Sequence, residues 1–517
     1  MSRIVIFLVL FTSLAGLSSE RVAAQFLHRS ATFSLGSPHL EPEAPALVAG
    51  LPDGELVALA KVEGGVVGSS SYRLECYGSS LQLMWATDLQ LSGQEEVHRL
   101  FFNHKEVVLL LSEHDLPNHK ARLKAIGFEP LYGQIAWRKE LVQAAVGAWA
   151  NPTAFVRESF EELCAASGQP DFTTPVTYQF TTLFSPDQHL MLTGLFDYSQ
   201  PELRFVGTLF DRKLAPLRQV ELPVAPGLTH HELALNDEGD MFMANADSKG
   251  ALWVMHFPAD GTAADSMQLA ASSEERNDFR IHLDEARTLQ VAAVNRHRHQ
   301  LTGITLARFN FETREIQENV VALSDEMKRD AGTKDWRHVE LVEWKHEADG
   351  DSYLMLEKRF VEGPGLSYEG LGIRRPDRVA PGKLQALAEG VLVIAVDQTG
   401  RSHWQRFIAK IQQSCAADGL NTLSFVSDVS TTETVRLLFA EAEEGAFAHV
   451  RLWELDKVYG DVARETRLFG EGKMALLRRY VYFAPDGSFV IGVRKGAVGE
   501  SSQLLKYREM IAADRER

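Results

Sequence analysis

Three short stretches hold the side chains best able to do chemistry. Glu113-His-Asp-Leu-Pro-Asn-His119 carries His114 and His119, and His230, His231 and Glu232 follow one another directly. Asn295-Arg-His-Arg-His-Gln300 sets His297 and His299 among Arg296 and Arg298. A His-x-His on an extended strand turns both rings to one side, a ligand geometry for zinc or copper. Here the two arginines would repel a divalent cation, and no third ligand stands at a fixed spacing. The stretch therefore reads as a solvated polar turn. His230 and His231 are adjacent, and adjacent residues of a strand point to opposite faces. Asn236-Asp-Glu-Gly-Asp240 and Asp349-Gly-Asp351 lack the ligand spacing and distant Glu of a calcium loop and read as hairpin turns. A nucleophile elbow, a phosphate-binding loop, a zinc-protease helix and a dinucleotide loop are all missing in a useful context. The expectation is no metal, no cofactor and no assignable catalytic residue.

The elements that would position these residues are strands. Eight apolar, β-rich segments are each entered from a turn: Glu55–Ala60, Glu106–Glu113, His189–Phe196, Asp240–Asp247, Thr288–Asn295, Asp351–Arg359, Thr434–Glu441 and Ser488–Lys495. Most begin about 50 residues apart, near the period of a four-stranded propeller blade. Turn residues precede them, as in Leu51-Pro-Asp-Gly54 and Ala484-Pro-Asp-Gly487. A second hairpin follows each, most clearly Val396-Asp-Gln-Thr-Gly-Arg-Ser-His-Trp404. A four-strand meander cannot bury both faces alone, whereas radial stacking buries both and protects the edges. The expected fold is all-β: a β-propeller of about eight blades, with seven as the alternative and a pair of β-sandwiches as the competing architecture. Arg478–Phe483, Ser488–Lys495 and Ser502–Arg508 supply only three strands of the last blade. Ala31–Ser37, in which Phe33 and Leu35 alternate with polar neighbours, is expected to supply the fourth.

Two insertions account for the two longest spacings. Residues 143–175 contain Asn151-Pro152 and a helical spacing of Phe155, Val156, Phe160, Leu163 and Cys164, which predicts one amphipathic helix. Residues 360–385 are rich in Gly and Pro and predict a long irregular loop. In such a meander, loops between second and third strands open on the same face as the links between blades. Both insertions and all the histidines above fall on that face, the one expected to bind a ligand.

Composition bounds the rest. The 517 residues include 45% hydrophobic and 24% charged side chains, so the chain is globular rather than disordered. The net charge of −17, without a long basic run, argues against a nucleic-acid partner. Residues 1–24 read as a signal peptide: Arg3, the apolar run Ile4 to Phe11, and Val22-Ala-Ala24 before Gln25. The run stops short of the roughly 20 apolar residues of a membrane span. An exported protein, periplasmic or secreted and not integral to a membrane, is expected. Residues 25–508 would form the propeller and 509–517 a charged tail. Of three cysteines, Cys76 is expected in the core, and Cys164 with Cys415 is the one plausible disulfide.

The eight-fold pattern resembles the β-propeller superfamily over nearly the whole chain beyond residue 24. The stretch Val391 to Lys410, a strand, Asp-x-x-Gly, Trp and a strand, is similar to uncharacterised exported propeller-type proteins of bacteria. Ser324-Asp-Glu-Met-Lys328 adds to that likeness; the Trp-Asp and kelch di-glycine signatures are absent. The resemblance implies a fold and a compartment and carries no catalytic residues. The function expected is a non-enzymatic binding scaffold for an envelope or extracellular protein or glycan, using the inserted face. The alternative is an extracellular carbohydrate- or ester-acting hydrolase or lyase with its site at the axial channel.

Overall fold

In a computed structural model of the chain, the residues described are 26–33, 47–62, 69–115, 118, 120–145, 180–197, 203–224, 228–247, 250–271, 274–276, 278–284, 288–333, 335–347, 350–362, 367–369, 372–374, 385–415, 424–443, 446–468, 474–495 and 502–508. They build eight four-stranded antiparallel sheets, the blades of a β-propeller. The innermost strands of successive blades touch around an axis, and that of the eighth (Met474–Phe483) meets that of the first (Val48–Gly50). Seven blades and paired sandwiches are thereby excluded.

The second strands of the blades are Leu56–Val62, Val107–Asp115, Leu190–Asp197, Met241–Asp247, Thr288–His297, Ser352–Glu362, Thr434–Glu443 and Phe489–Lys495. Each coincides with one of the eight apolar segments of the sequence. A second strand is covered on both faces by neighbouring blades, so both of its side-chain rows must be apolar. Val108 and Leu110 pack with Met191 and Leu195 between blades 2 and 3. Phe242 and Ala244 pack with Leu289 and Val291 between blades 4 and 5. The outermost strands, such as Pro216–Pro223 and Glu315–Ala322, alternate buried with exposed residues as edges do.

The ring closes through its ends. Phe26–Phe33 pairs antiparallel with Ser502–Arg508, from Phe33 opposite Ser502 to Phe26 opposite Arg508, and becomes the outermost strand of blade 8. The expected closure is present, but the strand lies several residues earlier than Ala31–Ser37.

Around the rim, outer strands grip the next blade's last turn. Trp85 of blade 1 donates its indole N–H to the Pro130 carbonyl (2.6 Å), and Thr87 donates to the Gly133 carbonyl (2.7 Å). Trp404 of blade 6 repeats this on the Lys457 carbonyl (2.7 Å), and Arg406 on the Gly460 carbonyl (2.8 Å). The turns gripped are Glu129-Pro-Leu-Tyr-Gly133 and Asp456-Lys-Val-Tyr-Gly460. Gly133 and Gly460 have φ of 66° and 71°, and a Cβ at either would collide with the indole lying on it. Lys139, Arg218 and Asn319 make related contacts to the Leu214, Ala259 and Gly400 carbonyls.

Helix α1, Asp325–Ala331, is the one helix among the described residues and links blades 5 and 6. Ser324 caps it, accepting from the Met327 N–H at 3.1 Å. Asp325 and Glu326 sit in its first turn, Lys328 and Arg329 in its last, and Gly332 ends it at φ 63°. The amphipathic helix expected within 143–175 lies largely outside the described residues; 143–145 end an outer strand. The second insertion is not wholly irregular. Its strands run on to pair Glu362 with Gln385, and Ser367–Glu369 pairs with Gly372–Arg374 as a small ribbon. No helix of the described residues is long and apolar enough to cross a membrane.

Candidate functional site

The links between blades and the second-to-third-strand loops share one face, which carries both insertions. Near the axis on this face, ionisable residues reach from blade to blade. On the inner strand of blade 4 (Leu228–Leu235), Glu232 accepts Arg280 Nη1 at 2.8 Å and the Ile281 N–H at 2.9 Å, both from the inner strand of blade 5. Asp278, just ahead of that strand, accepts Arg296 Nη2 at 2.8 Å and the Leu341 N–H of blade 6 at 3.1 Å. Arg296 also donates to the Val339 carbonyl at 2.6 Å. Burial works against the charge on Asp278, but Arg296 and Arg280 prevail and hold its carboxyl below the usual range. Blades 4 and 5 are thus tied by an ion pair, and blades 5 and 6 by hydrogen bonds from Asp278 and Arg296 to backbone groups.

The histidines do not join this cluster. His231 shares a 2.8 Å hydrogen bond with Asn245 Oδ1 and packs against the Phe196 ring at 5.0 Å; burial lowers its pKa and keeps it neutral. The strand through 297 stops there. Arg298 (φ 52°) and His299 (φ 66°) form the two central residues of a tight hairpin turn, so His297 and His299 do not share a strand face. All three side chains are exposed, and His299 Nδ1 lies 3.8 Å from Glu275 Oε2. The strand geometry behind a His-x-His ligand pair is absent, and the polar-turn reading holds. Arg296 turns inward to Asp278 instead of flanking that pair. His119 lies outside the described residues, as do the side chains of His114 and His230.

The described residues of the two calcium-like stretches lie in hairpin turns. The Gly239 N–H donates to the Asn236 carbonyl (3.2 Å), and the Gly350 N–H to the Glu347 carbonyl (3.0 Å). Among the described residues, no three His, Cys, Asp or Glu side chains gather as a metal could require. Cys76 is buried and free, its thiol pushed up to about 12 by burial. Cys164 and the side chain of Cys415 lie outside the described residues, though Cys415 ends the outer strand Ser402–Cys415 rather than standing outside the strand pattern.

Asp278, Arg280 and the buried triad Arg276–Asn295–Thr305 were not evident from sequence. Arg276 Nε and Thr305 Oγ1 both reach Asn295 Oδ1, at 3.2 and 3.0 Å, and Arg276 Nη2 reaches Glu318 at 2.9 Å. These partners are distant in sequence, so no local motif announces them.

Acid should loosen this ring. Burial and the neighbouring Arg99 and Arg479 lower His98 to about 4, and burial with His282 lowers His346 to about 3. Between those values and the usual 6.5 the unfolded chain binds more protons, so stability falls as pH drops through that window. Asp278, depressed as well, extends the loss below the normal carboxylate range. Thermal melts should fall by several degrees between pH 7 and pH 4.5, and His98→Gln should flatten the slope. A melting temperature that is level or rises over that range would contradict these assignments.

Fold and site together define an all-β, eight-bladed propeller with a link-bearing face tied by charge. No family model matches the chain, and no curated protein matches it. Among solved structures, the chain is similar to Chaetomium thermophilum Sqt1 bound to the N-terminus of ribosomal protein L10, at 10% identity and TM-score 0.42, covering 93% of this chain and 100% of that one. The β-propeller domain of the Trilobed protease from Pyrococcus furiosus matches at 8% identity and TM-score 0.37, covering 86% and 97%. A protein of unknown function from Bacteroides caccae matches at 11% identity and TM-score 0.28, covering 68% and 93%.

Proposed function

We propose that the chain is an exported, non-enzymatic binding propeller that engages an envelope or extracellular protein or glycan through its link-bearing face. One observation carries the reading. Two carboxylates at the inner strands there are committed: Glu232 to Arg280 and the Ile281 N–H of the next blade, and Asp278 to Arg296 of its own blade and the Leu341 N–H of the next. A catalytic acid or base needs a lone pair or proton free to meet a substrate, whereas these groups are structural ties. Export rests on the positive start, apolar run and small residues of 1–24.

The competing hydrolase reading is tested on the same purified protein. A panel of chromogenic esters and glycosides should show no turnover above a boiled control. Asp278→Asn should lower the melting temperature without changing that result. Turnover that purifies with the chain and disappears in Asp278→Asn would replace the scaffold by an enzyme.

A further inference from the structure

The gap between blades 5 and 6 is built unlike its neighbours. His282, Gln290, Arg308 and Gln317 stand directly opposite one another across all four strands of blade 5, so their side chains share one face. That face looks at blade 6: Ala292 and Val294, on the same side of the second strand, pack there with Leu341 and Leu354. The equivalent row of blade 4 is Ala234, Phe242, His256 and Asp265. There Phe242 stacks on His256 at 4.7 Å and meets Phe311 at 5.7 Å, which fills the gap. In blade 7 the row is Asp428, Arg436, Glu454 and Arg464, closed by its own ion pairs. Among the described residues, Gln290 and Gln317 of the blade 5 row make no such contact.

A cleft of about 170 Å³ remains, opening on the face opposite the interblade links. Its walls include Gln290, Arg308 and Gln317 on one side and Trp344, Ser352 and Thr399 on the other. At the axial end His282 stacks on His346 with centroids 3.3 Å apart. Among the described residues, the Gln290 and Gln317 carboxamides take no hydrogen-bond partner. Of the two carboxylates in the wall, Glu318 is held by Arg276, and Asp397 by the Thr399 and Arg401 N–H groups of its own turn. The Trp344 N–H is taken by Ser352 Oγ at 3.1 Å, and its ring, 4.6 Å from that of His346, lines the cleft with carbon.

We propose that this cleft binds a short neutral saccharide. Free carboxamides pair well with vicinal hydroxyls, which both donate and accept. Neighbouring strands stand about 4.8 Å apart, so Gln290, Arg308 and Gln317 repeat at close to the length of one sugar ring. An indole suits the C–H face of a pyranose. With its carboxylates already tied, the cleft has little to hold a cation selectively. The site is separate from the link-bearing face, so its failure leaves the scaffold reading standing.

The purified chain is titrated with cellotriose, maltotriose and chitotriose, with trialanine as the peptide control, by calorimetry and tryptophan fluorescence. One or more of the sugars should bind saturably and change the fluorescence, and Trp344→Phe should remove most of that change. The double variant Gln290→Leu/Gln317→Leu, which makes the row apolar, should keep the wild-type melting temperature or raise it and weaken binding at least ten-fold. Should that variant fail to fold, Gln317→Ala alone, at the exposed end of the row, should weaken binding several-fold. No binding of any of the three sugars, binding untouched by these substitutions, or preferential binding of trialanine would each overturn the proposal.

Discussion

Lys410→Met should destabilise the ring by about 3–5 kcal/mol, among the largest costs of any single substitution in it. Lys410 and Glu357 form a salt bridge in which both side chains have 0% exposure. The ammonium also donates to Gln412 Oε1 at 2.6 Å and lies 5.2 Å from the Phe439 ring and 5.7 Å from that of Phe425. Gln412 in turn donates to the Ala440 carbonyl (2.6 Å) and accepts the Ser424 N–H (2.8 Å), fastening the outer strand of blade 6 to blade 7. Burial pulls Lys410 down to about 8, against the pull of Glu357. Burial also opposes the charge on Glu357, yet Lys410 and Arg359 hold its carboxyl below the usual range.

Removing the lysine strands a carboxylate without water or its main counter-ion, and that desolvation sets the size of the loss. Two charges leaving water gain little net energy, so replacing both by apolar groups of similar size should cost far less. Urea denaturation of Lys410→Met, Glu357→Met and the double variant checks this: each single variant should lose several kcal/mol and the double variant should recover most of it. A single variant within about 1 kcal/mol of the parent would mean that water reaches the pair.

The strands were legible where burial is two-sided. The second strands of all eight blades appear as apolar runs because two neighbours cover each of them, and turns such as Ala484-Pro-Asp-Gly487 mark their entry. Inner strands such as Val48–Gly50 and Val426–Asp428 are only three residues long and leave almost no pattern. The closing strand was legible in kind but not in register. Alternation runs through Ala31–Ser37, while the pairing partner lies at the far end of the chain and no local signal marks where the strand stops. Helix α1 was missed because a seven-residue helix burying only Met327 has no periodicity to display. Its cap, Ser324 with Asp325 and Glu326 behind it, was the available signal.

The site was less legible than the fold. Asp278 meets Arg296, Leu341 and, through Arg280, Glu232 only because the ring brings three blades together at the axis. The row of His282, Gln290, Arg308 and Gln317 likewise exists only once four strands are in register. The histidine stretches that drew attention in the sequence dispersed, because a His-x-His pair needs an extended strand and Arg298–His299 is a turn.

Ring closure is the claim on which the architecture rests, and removing the closing strand tests it most directly. Phe26–Phe33 gives blade 8 its fourth strand and satisfies the outward backbone groups of Ser502–Arg508. Without it that edge is open to pair with another chain, and blades 1 and 8 keep only the packing of Leu477, Tyr480, Val490 and Leu504 against blade 1 and contacts such as Lys506 to the Ser79 carbonyl (2.9 Å) among the described residues. A chain beginning at residue 38 should melt at least 10 °C below one beginning at Gln25, and light scattering should show it associating at concentrations where the longer chain is monomeric. Equal melting temperatures and a monomeric truncated chain would mean that the ring does not depend on this strand, and the closure described here would be wrong.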